Sequence, residues 1–133
     1  MPTATEAALQ VACAGLLYQS ETDAPWEVVT WASATGTPTA SEVKRLGRHR
    51  TAGAVATVLP LDEFFAPLTT DQDWYGDEER AVAQKYRDLL AVTKQHLTSP
   101  VVVKVGTRKL TVYVVGVAAE GGWAGVRTRG VET

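Results

Sequence analysis

The sequence predicts an α+β fold, one domain over residues 1–133 with a mixed or antiparallel sheet lying between helical layers. Three observations lead there. Helical periodicity occurs both before and after strand patterns, so neither kind of element is confined to one part of the chain. The segment Leu110 to Val117, LTVYVVGV, is apolar on both alternating faces apart from Thr111, as a strand in the middle of a doubly covered sheet would be. A chain of 133 residues is also long enough to bury a single core.

The elements follow in order. Thr3 and Glu6 match a capping box, and Leu9, Ala12, Cys13, Leu16 and Leu17 then share one helical face, which predicts a first helix from about Ala4 to Leu17. Cys13 on that face reads as a buried, inert thiol. Tyr18 to Pro25 reads as a loop, with Glu21 at its centre between Ser20 and Thr22. Trp26 to Trp31 has strand composition, with Val28 and Val29 suggesting burial on both faces, and turn chemistry follows it. Ser41 is placed to cap a short helix through Leu46, closed by Gly47. Lys44, Arg45, Arg48, His49 and Arg50 form a basic cluster, expected to be a solvated face balancing the acidic half of the chain.

Ala54 to Leu59 is a predicted strand closed by Pro60. Asp62 is expected to cap a short helical turn that carries Phe64 and Phe65 inward and is broken by Pro67. Beyond the next helix, Ser99 and Pro100 are expected to stop it. Val101 to Val105, a turn at Gly106 to Arg108, and Leu110 to Val117 then form a hairpin. Glu120 to Gly122 make another turn, Trp123 to Thr128 a last strand, and Gly130 releases a short tail.

The stretch from Thr69 to Leu97 carries the strongest signal. Val82, Tyr86, Leu89, Leu90, Thr93 and Leu97 recur at helical spacing. Asp77, Glu78 and Glu79 stand at the start of that helix and Lys94 and His96 at its end, so both ends complement the helix dipole. Ahead of it, Asp71, Asp73, Trp74 and Tyr75 set carboxylates beside aromatic rings in a segment that no apolar period claims. The segment can be read as a cap, from Asp73 or Asp77, with rings tucked into the core edge. It can also be read as an exposed contact anchor whose five acids among residues 71 to 79 offer phosphate-like charge to a basic partner.

Composition narrows the function classes. A formal net charge of −2 argues against direct nucleic-acid binding through a basic surface, and no segment approaches the apolar length that spans a bilayer. One cysteine cannot form an internal disulfide, which fits a reducing, cytoplasmic setting. His49 and His96 lack further ligands at zinc spacing, and the glycine-rich phosphate loops and the nucleophile elbow are absent. No cofactor is expected, and the acids are numerous enough to supply a carboxylate pair in space, so on the residues alone a carboxylate enzyme stays open.

Several separated blocks, GLLYQSETDAPWEV (15–28), TTDQDWYGDEERAV (69–82), VYVVGV (112–117) and the closing VET (131–133), resemble the nuclease A inhibitor family over nearly the whole chain, in order and with similar spacing. The resemblance implies an α/β/α sandwich of the type found in plant pathogenesis-related protein 1. It also implies a binding function: a monomeric inhibitor occupying the active site of a sugar-non-specific, Mg²⁺-dependent endonuclease of the ββα-metal class. By position, Glu21 matches the glutamate that stands in for the scissile phosphate, and Thr133 matches the C-terminal threonine whose hydroxyl reaches the partner's Mg²⁺. Asp73 and Trp74 match a second contact region, with the ring as anchor and the acid as charge partner. Gly76, where an acid would extend the charge run, and the basic cluster at 44–50 depart from the family pattern. They motivate an alternative, an interaction module on the same scaffold with a different basic or metal-bearing partner.

Overall fold

The computed structural model describes residues 3–19, 23–49 and 55–131. Among the described residues there are four helices, α1 (Ala4–Cys13), α2 (Ala40–Leu46), α3 (Leu61–Thr69) and α4 (Asp77–His96), and seven strands. The strands are β1 (Leu17–Gln19), β2 (Asp23–Pro25), β3 (Glu27–Trp31), β4 (Ala56–Leu59), β5 (Leu97–Val105), β6 (Lys109–Ala118) and β7 (Trp123–Val131). Five of them form one sheet in the order β3-β7-β6-β5-β4, antiparallel at every step. The strand apolar on both faces, β6, lies at its centre, as its pattern predicts.

Alternation along β6 feeds two buried clusters. Leu110, Val112 and Val114 join Leu9 and Cys13 of α1, Phe64 and Phe65 of α3, and Tyr86 and Leu89 of α4. Tyr113 and Val115 join Val43 of α2, Val103 and Val105 of β5, and Trp123 of β7.

Several boundaries differ from expectation, each for a local reason. The Thr3 hydroxyl does accept from the Glu6 amide, at 3.1 Å, but α1 stops at Cys13 because Gly15 adopts a left-handed conformation (φ 73°) that no helix continues through. Leu17 then begins a strand, and the loop expected from Tyr18 to Pro25 is instead a two-stranded antiparallel ribbon, β1 with β2. Thr39 caps α2 in place of Ser41, its hydroxyl accepting from the Glu42 amide at 3.3 Å. Pro67 sits inside α3 and does not break it; near the end of that helix the Thr69 and Thr70 hydroxyls donate to the Phe65 and Ala66 carbonyls.

On α4 the buried positions are Ala83, Tyr86, Leu89 and Thr93, with Val82 37% exposed. Tyr86, Leu89, Thr93 and Leu97 are buried as their spacing predicts, and Val82 yields its place to its neighbour Ala83. Ser99 and Pro100 fall within β5, at a bulge between Thr98 and Val101 where Ser99 takes φ 52°. Leu97 thus caps α4 and starts the strand in one step. Strand β7 runs on through Gly130 to Val131, paired with Lys109. Ala54 and Arg50 lie outside the described residues.

Candidate functional site

The site begins with the ribbon. Tyr18 on β1 packs edge-on to Trp26 at 5.8 Å and stacks on Phe64 of α3 at 6.0 Å, and Phe65 packs against Tyr86 of α4 at 6.5 Å. Contacts of this kind stabilise by about 0.5–1.5 kcal/mol each beyond their buried area. The Tyr86 hydroxyl donates to the Leu17 carbonyl at 2.7 Å and accepts from the Trp26 indole at 3.2 Å, so α4 holds the ribbon at its base, where Leu17 pairs with Pro25. From the other side, the Thr128 hydroxyl of β7 reaches the Pro25 and Ala24 carbonyls at 2.9 and 3.3 Å. Residues 20–22 connect these two held strands. Glu21 is one of them and lies outside the described residues, as does Thr133, five positions after Thr128.

The acidic aromatic turn is positioned just as firmly. Arg87 of α4 donates to the Thr69 carbonyl at 2.9 Å and pairs with Asp71 at 2.7 Å, anchoring the chain where it leaves α3. The Tyr75 amide then closes a turn on the Gln72 carbonyl at 3.0 Å, and Gly76 takes the cap position of α4 with no side-chain cap. Neither Asp73 nor Asp77 therefore caps the helix. Asp73 is exposed and makes no hydrogen bond or ion pair with any described residue, while Trp74 is 74% exposed, its ring edge-on to Tyr75 at 4.7 Å. An indole this open contributes little to the core, so its reading as a cap-side filler fails.

The ribbon and the turn meet. A groove of about 320 Å³ is walled by Leu17 and Gln19 of β1 on one side and by Trp74, Tyr75, Glu78 and Val82 on the other. Leu17 and Val82 are both partly open to solvent there. The groove thus has an apolar floor, an aromatic rim and two carboxylates, with Glu79 the second. Trp74, far from Gln19 in sequence, thus shares a groove with the strand that leads to residues 20–22, while Asp73 is not among the residues that line it.

The rest of the titratable chemistry is structural or elsewhere. The Cys13 thiol is buried, and burial pushes its pKa up, away from the nucleophilic range. Arg45 pairs with Glu42 at 2.7 Å on the solvent side of α2, as the solvated-face reading predicts. His49 departs from that reading: its Nε2 lies 2.6 Å from the Tyr113 hydroxyl. Among the described residues no group of three or more His, Cys, Asp or Glu side chains is placed to hold a metal ion, and no helix is long and apolar enough to cross a membrane.

Compared with known proteins, residues 3–133 match the family model described as "Nuclease A inhibitor-like protein", nearly the full length of the chain. No curated protein matches.

Proposed function

The chain belongs to the nuclease A inhibitor-like family, and from that premise we propose that it is a stoichiometric protein inhibitor of a sugar-non-specific, Mg²⁺-dependent DNA/RNA endonuclease of the ββα-metal class. It binds that enzyme's active site and blocks it, without catalysis or a cofactor of its own. The observation that carries this reading is the shared groove between β1 and Trp74, which supports a single continuous contact surface built from the ribbon and the acidic turn.

In this proposal Glu21, in the sequence between two strands held by Tyr86 and Thr128, presents a carboxylate where the nuclease holds a phosphodiester. Rigid strands on both sides reduce the ordering entropy lost on insertion. Thr133 offers a hydroxyl oxygen, the ligand type Mg²⁺ prefers, from a chain end that can enter a cleft. Trp74 acts as the desolvated anchor at the flank and Asp73 as its charge partner. We also propose the finer fold assignment, an α/β/α sandwich akin to pathogenesis-related protein 1, supported by the two buried clusters that share β6.

The test is titration of a non-specific Mg²⁺ nuclease with the wild-type chain, with Glu21→Ala and with a chain lacking Thr133, each shown folded by circular dichroism. Inhibition saturating near one equivalent, and weakened at least about tenfold by either change, is expected. Wild-type inhibition that neither change alters would overturn the insertion mechanism. No inhibition of any ββα-metal nuclease would overturn the function and leave the scaffold with another partner.

A further inference from the structure

A second concave surface lies where α2 ends over the sheet. Its construction follows from register. Tyr113 pairs with Arg127, Thr111 with Arg129 and Lys109 with Val131, and directly paired residues two apart along antiparallel strands share a face. Tyr113 belongs to the cluster on the α2 side, so this whole row of side chains points to that side. Among the described residues, the turn Gly47, Arg48, His49 faces the row beyond the end of α2, and a cleft of about 520 Å³ opens between turn and strands.

The turn holds its residues at a cost. The Arg48 amide bonds the Arg45 carbonyl at 3.1 Å and the His49 amide bonds the Lys44 carbonyl at 3.3 Å, the two bonds of a Schellman motif. Such a motif needs one left-handed residue, normally glycine. Here Gly47 is right-handed (φ −75°) and the left-handed position falls to Arg48 (φ 60°). Gly47 serves close approach instead, since a Cβ there would collide with the Tyr113 hydroxyl. A guanidinium kept where glycine is easier points to a use for the side chain.

The cleft gathers positive charge. Arg48, Lys109 and Arg129 line it and make no ion pair with any described residue, and Arg127 is paired with Glu27 at 2.5 Å. At its base the Tyr113 hydroxyl meets His49 Nε2. Burial, then Arg127, Lys44 and Arg129, hold the His49 imidazole below its ordinary pKa, so these cations converge on one place.

We propose that this cleft is a binding site for a phosphate-class anion, held by the Arg48 and Arg129 guanidiniums and Lys109, with the Thr111 hydroxyl as a neutral donor. Guanidiniums match phosphate oxygens with two parallel bonds each, and a dianion with three free oxygens can satisfy several forks at once where a carboxylate cannot. The cleft is larger than one phosphate, so a phosphomonoester such as a nucleotide fits the same chemistry. This site is independent of the nuclease-inhibitor reading.

The experiment is NMR titration of the full chain with inorganic phosphate, pyrophosphate and AMP at constant ionic strength, with chloride as the control. Saturable shifts at Arg48, Lys109 and Arg129, with a rise of the His49 titration midpoint when ligand is bound, are expected. Equal affinity for phosphate and AMP would assign the site to the phosphate alone; tighter AMP would add the nucleoside. Arg48→Gly removes a left-handed strain, so it should fold at least as stably while binding about tenfold or more weakly, and Arg129→Ala should weaken binding comparably. No saturable response beyond chloride, or binding that neither substitution alters, would overturn the proposal.

Discussion

The Trp26 indole N–H donates to the Tyr86 hydroxyl at 3.2 Å, and that hydroxyl donates onward to the Leu17 carbonyl at 2.7 Å. One buried phenol therefore ties the longest helix to the base of the β1–β2 ribbon, where Leu17 pairs with Pro25. Tyr86→Phe keeps the ring and its packing but leaves an indole donor and a carbonyl without that partner. The expected loss is about 1–3 kcal/mol, read as a lower urea midpoint at unchanged slope. If the ribbon's grip also serves inhibition, the same variant should inhibit less well while folded. A midpoint equal to wild type would show that water replaces the phenol at no cost.

The same residue sets an alkaline limit. Burial pushes the Tyr86 pKa up to about 12, against an ordinary value of 10. The protonated form is thus favoured by folding, and between those values the native chain holds a proton that the unfolded chain has lost. Stability contributed by this group is complete below pH 10 and falls as pH rises toward 12. Urea midpoints taken from pH 9 upward should decline in wild type, and the decline should be shallower in Tyr86→Phe. Parallel curves would remove Tyr86 as the cause.

Much of this architecture was legible in the sequence, and the failures share a cause. β6 announces its central position through apolar residues on both faces, and α4 announces its limits through charge at both ends. The ribbon was not legible, because Asp23 and Pro25 have poor strand propensity and their order comes from Tyr86, Thr128 and Phe64, all distant in the chain. The exposed turn carrying Asp73 and Trp74 was visible as an unclaimed segment, but its neighbour across the groove, Leu17, was assigned to a helix. The basic cleft left one trace: Lys109, Thr111 and Tyr113 alternate, as do Arg127 and Arg129, and only the hairpin register places the two rows on one face beside Arg48.

Trp74 separates interface from core cleanly. With 74% of its surface open and only Tyr75 as an aromatic contact, Trp74→Ala should change folding stability by no more than about 0.5 kcal/mol. As an interface anchor it should cost on the order of 2 kcal/mol of binding, roughly a 30-fold weaker inhibition constant. Asp73→Asn should act differently, slowing association more at low salt than at high salt, since an exposed rim charge works by attraction at a distance. Stopped-flow binding to the nuclease reads both. Unchanged affinity in Trp74→Ala would move the contact surface elsewhere.

His49 is held neutral by burial first and then by Arg127, Lys44 and Arg129, with the Tyr113 hydroxyl against its Nε2; Arg48 and Lys109 line the same cleft, and Glu27 is engaged by Arg127. Burial also pushes the Tyr113 phenol up, so the phenol donates and the imidazole accepts. Folding thus favours unprotonated His49. Stability from this group is present above pH 6.5 and is lost as pH falls through the lower native value, because the unfolded chain binds the proton first. NMR should place the His49 midpoint below 6.5, and urea midpoints should fall as pH drops below 6.5, less steeply in His49→Gln. Raising phosphate should lift the His49 midpoint if the cleft fills. A His49 midpoint at or above 6.5 without ligand would mean that the cations do not converge there, and would weaken the case for the cleft as well.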